Sequence, residues 1–449
     1  MSELALPEEW IETKLSSIYT KIVGGGTPSK SNPSYFEGEI PWMSVKDMKG
    51  YTPKDTQDHI TQEAIENSAT NLIPEGVPII ATRMSLGKVV VVNFDTAINQ
   101  DLKAIFLPEH VINSYFVYWY RSKDNLIISL GTGTTVKGIR LDNLKNLSFT
   151  LCSLNEQQEI VKRLDKHLTT VSQIKARLDA IPKLIEKFRQ SVLNDAVSGA
   201  LCNNQNVNSS IVSELCDFQN GFAFKSGWFL KQGKFQVIKL GNIRENRLAI
   251  ENSPAFLDEN IGKDHSKFCA NKNDILISMT GTRFKRDYGF SCLVTESEKF
   301  LINQRVGRFI VNEEKIIHKY LLLILRSNGF RNDFFEGETG GVNQGNVGSN
   351  HIKNISINYP DISTQEKIVN KTEVLFSFAD QIEKSVATAK ARVDHLTQSI
   401  LHQAFTGNLT AEWREQNPEL VSGDNSAEAL LAKIKAEKQG GGKKKSSKE

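Results

Sequence analysis

One stretch occurs twice in this chain, and it limits the possible architectures before composition is considered. Gln190-Ser191-Val192-Leu193-Asn194-Asp195-Ala196-Val197-Ser198-Gly199-Ala200-Leu201 aligns without a gap on Gln398-Ser399-Ile400-Leu401-His402-Gln403-Ala404-Phe405-Thr406-Gly407-Asn408-Leu409, an offset of 208 residues. At that offset Ile160-Val161 also meets Ile368-Val369, and Gln173-Ile174 meets Gln381-Ile382. The repeat therefore spans Ile160–Leu201 and Ile368–Leu409, and whatever one copy folds into, the other should fold into as well.

Inside each copy the apolar residues step by three and four. In the first they are Ile160, Leu164, Leu168, Val171, Ile174, Leu178, Ile181, Ile185 and Phe188; in the second Ile368, Thr372, Leu375, Ala379, Ile382, Val386, Ala389, Val393, Leu396 and Ile400. This is a heptad seam, so the spacing predicts two helices on the order of 55 to 60 Å long. Rods of that length bury their stripes most simply against each other. Pro182 interrupts the first, where a proline removes one hydrogen bond and is expected to bend the helix.

With 449 residues the chain has room for two or three cored domains besides the rods. No apolar run has the length of a membrane span and the N-terminus lacks signal-peptide character, which predicts a cytoplasmic protein. Five cysteines at 152, 202, 216, 269 and 292 include no C-x-x-C pair, so plain thiols are expected rather than disulfides or zinc ligands. The net charge of +3 is misleading, because Lys433–Glu449 alone carries seven lysines against two glutamates, leaving the other 432 residues at −2. Any surface for nucleic acid must be a local patch or be shared with another subunit.

In order, the chain reads as a mixed α/β or α+β domain over 1–154, a long helix over 155–201, an Asn- and Ser-rich linker at 202–210, a second mixed domain over 211–362, and the second long helix over 363–410. A segment with a short helix follows at 411–438, then a disordered basic tail at 439–449. The two domains echo each other. Asp274–Ser278 resembles the strand at Ile79, Asn303-Gln304 stands where Asn99-Gln100 stood, and His318–Arg326 repeats the helix before Arg121. Thr339–Asn346 takes the place of the loop at Thr132. The whole is a tandem duplication of a domain followed by a rod.

Catalytic motifs are missing. Asn32-Pro33-Ser34-Tyr35 approaches the Asn/Asp-Pro-Pro-Tyr/Phe motif of amino-methyltransferases, which holds the target amine and stacks the base, but serine replaces the second proline and no glycine-rich loop for S-adenosylmethionine lies nearby. A proline-marked turn is the simpler expectation. There is no P-loop, and the eight histidines show no ligand spacing. What remains is binding. Arginine and lysine can read guanine, asparagine and glutamine can read adenine, and the other cations can hold phosphate. The candidates in the first domain are Lys46, Arg83, Lys88, Thr134, Thr135, Lys137 and Arg140; in the second they are Lys239, Asn242, Arg244, Arg247, Arg283, Lys285, Arg286, Arg305, Asn343, Gln344 and Asn346.

Several stretches together resemble the specificity subunits of type I restriction-modification systems. They are Leu6-Pro7-Glu8-Glu9-Trp10, Ile40–Asp47, Leu154-Asn155-Glu156-Gln157-Gln158-Glu159-Ile160-Val161, the two Q-S-[VI]-L-x-x-A-x-x-G-x-L ends, and Leu396–Leu401 continuing through Leu409–Arg414 to Ala427, which is similar to the enterobacterial IA class. The resemblance covers nearly the whole chain. It implies two target recognition domains, each reading half of a bipartite asymmetric DNA site, and an antiparallel coiled coil that sets the spacer and docks two modification subunits. Those partners would bring S-adenosylmethionine and adenine methylation, and restriction subunits would add ATP, Mg and cleavage, so this chain itself would bind no cofactor or metal and catalyse nothing. The other expectations to be tested are a self-sufficient DNA methyltransferase and a coiled-coil scaffold with no DNA role.

Overall fold

The computed structural model describes residues 6–443 other than 51, 134, 135, 204–206, 246, 284, 297 and 298, with the backbone alone for 439–443. The chain divides into two compact units, one joining Met1–Arg177 to Ala389–Glu449 and the other comprising Leu178–Thr388. Each unit contains a mixed α+β domain and one end of each long helix.

The long helices are Leu154–Val197 and Ile362–Phe405, 44 residues each and so about 66 Å long. The first runs without interruption through Pro182. Their starts are capped by side chains that take up free backbone N–H groups: Ser153 Oγ accepts from Glu156 N, and Asp361 Oδ1 from Thr364 N. Both end at glycines with φ near +81°, Gly199 and Gly407, a left-handed conformation in which any other residue is strained. The helices run antiparallel. Within the first unit Arg163 Nη1 donates to the Leu409 carbonyl (2.9 Å) and Lys175 Nζ meets Asp394 Oδ1 (2.7 Å). Within the second, Arg189 Nη2 lies 2.6 Å from Asp380 and 3.4 Å from Glu383, and Lys371 Nζ donates to the Leu201 carbonyl (3.0 Å).

The seam residues differ in depth. Ile160, Leu164, Ile185, Ile368, Val386 and Val393 are buried, while Leu168, Val171, Leu178, Leu375, Ile382 and Ile400 are half-buried. Leu396, expected in the seam, is 45% exposed, and Ile174 is 40% exposed. The deepest seam residues, Ile160, Leu164 and Ile368, also belong to the domain cores, since a pair of helices alone covers only a narrow strip of each partner.

The duplication expected from sequence is present strand by strand. In the first unit one antiparallel sheet has the order Lys21–Gly24, Leu102–Phe106, Ile79–Ala81, Val89–Val90, and the other has Asp58–Ile60, Ile40–Met43, Thr96–Ile98, Asn71–Ile73 with a parallel central pair. The second unit repeats both. Cys216–Asn220, Val306–Val311, Ile275–Ser278 and Ser291–Leu293 form one sheet; Phe256–Leu257, Phe235–Ile238, Phe300–Ile302 and Cys269–Ala270 form the other, again with a parallel central pair. The same close backbone approach recurs too. A Cβ on Gly25 would lie 2.1 Å from the Ile98 carbonyl oxygen, and one on Gly221 would lie 2.2 Å from that of Asn303, so neither position admits a side chain.

Each domain is locked to its rod by a buried glutamine at offset 208. Gln157 Oε1 accepts from Ile112 N (3.0 Å) while its Nε2 donates to the His110 and Cys152 carbonyls. Gln365 Oε1 accepts from Ile317 N (2.8 Å) while its Nε2 donates to the Lys315 and Pro360 carbonyls. Ile112 and Ile317 are the N-caps of the helices Asn113–Ser122 and His318–Arg326, where free N–H groups need partners. The aromatic core around Tyr115, Phe116, Trp119 and Phe149 in the first unit is completed by Leu401, Ala404 and Phe405 and by Leu430, Leu431 and Ile434. Glu156, fully buried, holds the C-terminal segment in place by accepting from Trp10 Nε1 (2.8 Å), Thr410 Oγ1 (2.7 Å) and Arg414 Nε (3.0 Å).

The last helix, Ala427–Lys443, passes the end at Lys438 read from sequence and enters the stretch expected to be a disordered tail; 444–449 lie outside the described residues. Packing of Leu430, Leu431 and Ile434, with Lys438 Nζ donating to the Ser16 carbonyl (2.6 Å), nucleates this helix, after which each added residue gains a hydrogen bond. Among the described residues no helix is long and apolar enough to cross a membrane.

Candidate nucleic-acid interface

The chain segments that follow the parallel pair meet a second group of turns, and the backbone pattern is the same in both units. In the first, Asn99 N donates to Met43 O, Thr82 N to Asp101 O, Met84 N to Lys137 O and Ile139 N to Thr82 O, with Arg83 and Thr132 both bridging to Gly138. In the second, Asn303 N donates to Ile238 O, Met279 N to Arg305 O and Val347 N to Met279 O, with Thr280 and Thr339 both paired to Asn346. What are isolated bridges in the first unit become a three-stranded sheet in the second: Thr280–Thr282, Gln344–Val347 and Glu338–Gly340. The loop read at Thr339–Asn346 is therefore a β-hairpin. Its Gly- and Asn-rich composition hid the strands, which form because Thr280–Thr282 supplies a pairing edge.

Within this shared frame the side chains differ in kind. The position of Asp101 is that of Arg305, each following the same Asn-Gln pair. Asp101 faces Arg83 at 3.5 Å. Arg305 instead approaches Gln344, whose Oε1, with the amide turned to accept, lies 3.0 Å from Arg305 Nη1. Gln344 and Asn346 alternate with the buried Gly345 and Val347, so both amides stand on the exposed face of the hairpin. Arg283 Nη1 donates to the Gly340 carbonyl, and its Nε lies 3.7 Å from Glu338. Glu338 also accepts from the Tyr288 hydroxyl (2.5 Å), and burial with that carboxylate pushes the phenol up.

The other candidates scatter. Arg83 and Lys137 are brought together by the bridge at Gly138, and Lys46 is exposed on the turn Ser44–Asp47, which follows the Met43 carbonyl that accepts from Asn99 N. Arg140 is exposed at the N-cap of Leu141–Lys145, whereas Lys88 lines a separate cavity with Arg121, Asp124 and Gln398. Thr134 and Thr135 lie outside the described residues. In the second unit Arg244 and Arg247 flank the tip of the hairpin Ile243–Leu248, Arg247 paired with Glu251 at 2.9 Å. Lys285 and Asn343 are exposed, and Arg286 stacks over Phe335 at 4.9 Å. Lys239 Nζ donates to the Ser253 carbonyl (2.7 Å).

Asn242 is a correction. It is 1% exposed, accepts from Lys239 N and donates to the Ala249 and Asn252 carbonyls, so its amide is fully engaged in organising its own loop and cannot reach a base. Asn32-Pro33-Ser34-Tyr35 is a turn, with Pro33–Phe36 in a 3₁₀ helix and Ser34 Oγ donating to Asn32 Oδ1. Sequence reading missed Asp101, although it could be found by carrying the Asn99-Gln100 match one residue further.

The family described as the type I restriction modification DNA specificity domain matches residues 7–183 and 204–389, both halves of the duplication. The chain belongs to this family. It is 29% identical over 474 aligned residues to the StySPI specificity subunit of Salmonella potsdam, covering 100% of this chain and 99% of that protein. It is 28% identical over 473 residues to the EcoKI specificity subunit of Escherichia coli K12, with the same coverage. Two solved chains share the fold. One, from work on complex assembly and conformational transition of a type I R-M system, superposes with a TM-score of 0.69 at 15% identity, covering 90% of this chain and 99% of that one. The other, the HsdS subunit of Thermoanaerobacter tengcongensis, gives 0.58 at 16% identity, covering 91% and 99%. This type I specificity subunit is thus the non-catalytic, DNA-recognising component of a restriction-modification complex, with two target recognition domains. The readings as a self-sufficient methyltransferase and as a scaffold without a DNA role fall with that assignment.

Proposed function

We propose that each recognition domain reads one half of a bipartite, asymmetric DNA site through the turn cluster described above, and that the antiparallel rods fix the unread spacer. The observation that carries this reading is the pairing of one backbone frame with two unlike sets of polar side chains. Arg83 and Asp101 stand in one copy, Arg305, Gln344 and Asn346 in the other. A guanidinium held by a neighbouring amide is oriented for guanine, and a free exposed amide for adenine. Arg283, Lys285, Arg286, Arg244 and Arg247 supply phosphate contacts in the second domain, and Lys46, Lys137, Arg140, Thr134 and Thr135 in the first.

The rods dock two modification subunits. Large apolar side chains stand exposed on them, Ile174 and Leu396 in the first unit and Leu184, Phe188, Val374 and Phe378 in the second, as expected of surfaces covered by partners. Those partners bind S-adenosylmethionine and methylate adenine, and restriction subunits add ATP-driven cleavage, all in the cytoplasm. The test is to exchange residues 1–154 for the corresponding domain of another such subunit, then map methylated sites by long-read sequencing. One half-site should change while the other half and the spacer persist. A change in both halves would defeat the modular reading.

A further inference from the structure

Each unit has a niche built from the same three parts: a positive-φ glycine in a turn before a sheet strand, an arginine ending a helix, and a glutamine of a long helix. In the first unit these are Gly87 (φ +87°), Arg121 and Gln398; in the second they are Gly289 (φ +72°), Arg326 and Gln190. The sheet register makes the glycines equivalent, since each stands two residues before a strand residue paired with the middle of the neighbouring strand, Val89 with Ile80 and Ser291 with Ile277. The glutamines are related by the 208-residue offset of the repeat.

The two niches differ in one respect. In the first unit the next helix opens on Asp124, whose Oδ2 accepts from Gln398 Nε2 at 2.9 Å, so the niche already contains a carboxylate. In the second unit that helix opens on Asn328-Gly329 and brings no carboxylate of its own. A cavity of about 160 Å³ is left, lined by Gln190, Glu245, Gly289, Arg326, Asn328 and Arg331 among others.

Several polar groups around this cavity lack partners. Gln190 Oε1 and the Oγ of Ser291, a lining residue only 1% exposed, have no hydrogen-bond partner among the described residues. Arg326 donates from Nε to the Ser291 carbonyl at 3.3 Å, and its Nη groups find no acceptor among the described residues. Arg331 donates to the Gly289, Tyr288 and Arg286 carbonyls. Burial holds both guanidinium groups below the usual arginine range, the signature of cations whose charge water and counter-ions do not fully meet. Glu245 acts on both at a distance, yet it sits exposed on the hairpin turn and forms no ion pair with either among the described residues. A water molecule would satisfy the orphaned dipoles but not the charge.

We propose that the niche beneath Gly289 is a carboxylate-binding site, taking from outside the group that Asp124 supplies internally in the other unit. Arg326 would donate through its Nη groups and Gln190 through Nε2 after its amide turns, the fork-like arrangement that suits a carboxylate. The source is either a small free acid or an acidic side chain presented by another subunit.

The full-length chain carrying ¹⁵N-arginine is titrated with sodium acetate at fixed pH, against sodium chloride at matched ionic strength. The Nε–Hε resonance of Arg326, assigned by its absence in Arg326→Lys, should move saturably with acetate in the millimolar range and not with chloride. Asn328→Asp, which restores an internal carboxylate, should abolish the acetate response and raise the unfolding temperature. Gln190→Leu should weaken the response several-fold without unfolding the chain. No acetate-specific shift in the wild type, or an unchanged response in Asn328→Asp, would overturn the proposal. So would a shift seen only in Glu245→Gln, since Glu245 would then be the native occupant. Adding the modification subunit separates the two sources: loss of the acetate response points to an acidic side chain on that subunit, and persistence to a free acid. That last arm rests on the partner reading above, whereas the titration does not, so the two can fail separately.

Discussion

Replacing Gln365 by leucine tests the lock between the second domain and its rod. The side chain is fully buried, and leucine nearly matches its volume, so little cavity energy enters. What is lost is polar. The Ile317 N–H loses its acceptor at 2.8 Å, and the Pro360 and Lys315 carbonyls lose donors at 2.9 and 3.4 Å. A buried group left unpaired costs about 1–3 kcal/mol. The 3.4 Å contact contributes least and carbonyls tolerate a lost donor better than an N–H tolerates a lost acceptor, so the expected loss is about 2–4 kcal/mol. For a unit of this size that is a fall of roughly 4–16 °C in the midpoint of its transition. Hydrogen exchange read by mass spectrometry should localise the change to His318–Arg326 and the first turns of Ile362–Phe405. Gln157→Leu should reproduce the effect at Asn113–Ser122 and Leu154–Val197. A loss below about 0.5 kcal/mol, or protection lost evenly along the chain, would refute the claim that these amides are what join domain to rod.

Other outcomes follow from the same geometry. Arg414→Leu leaves Glu156 buried against a missing cation and should destabilise the first unit by about 3–5 kcal/mol in urea titrations. Arg305→Ala together with Asn346→Ala should relax one half-site by tenfold or more in methylation mapping, leaving the other half and the salt dependence nearly unchanged. The Cys216 and Cys292 thiols are pushed up to about 12 by burial, so almost no thiolate forms at pH 8 and both should resist Ellman's reagent until the chain unfolds. Cys202 and Cys269, both half-exposed, should react first. Raising the pH towards 12 should bring the two buried thiols into reach.

The rods and the duplication were legible because both are written as periods. A three-four step survives in a single sequence, and an offset of 208 residues needs no structure to detect. Depth along the seam was not legible, since Leu396 and Val393 satisfy the heptad equally, yet one is exposed and the other buried. The interface was legible as a composition and not as a geometry. Asn242 and Asn346 look alike in sequence, yet one is engaged inside its loop and the other stands free on a hairpin. Arg83 and Thr280 occupy one position in the two frames, a fact fixed by strand register rather than by any residue match. The glutamine locks carried a signal, the Leu154–Val161 stretch, whose chemistry becomes clear only once the neighbouring helix caps are in place.

The first unit draws its residues from both ends of the chain, and its core needs Leu401, Phe405, Leu430 and Ile434. The second unit is a single stretch. During synthesis from the N-terminus the second reader can therefore close while the first still waits, holding Trp119 and Phe149 without their last neighbours until the ribosome is nearly finished. A chain that stops short of its final helix would keep one reader intact and spoil the other. On the proposed reading of one half-site per domain, premature termination would yield a subunit that directs its complex to no site, the safe failure for a recognition component.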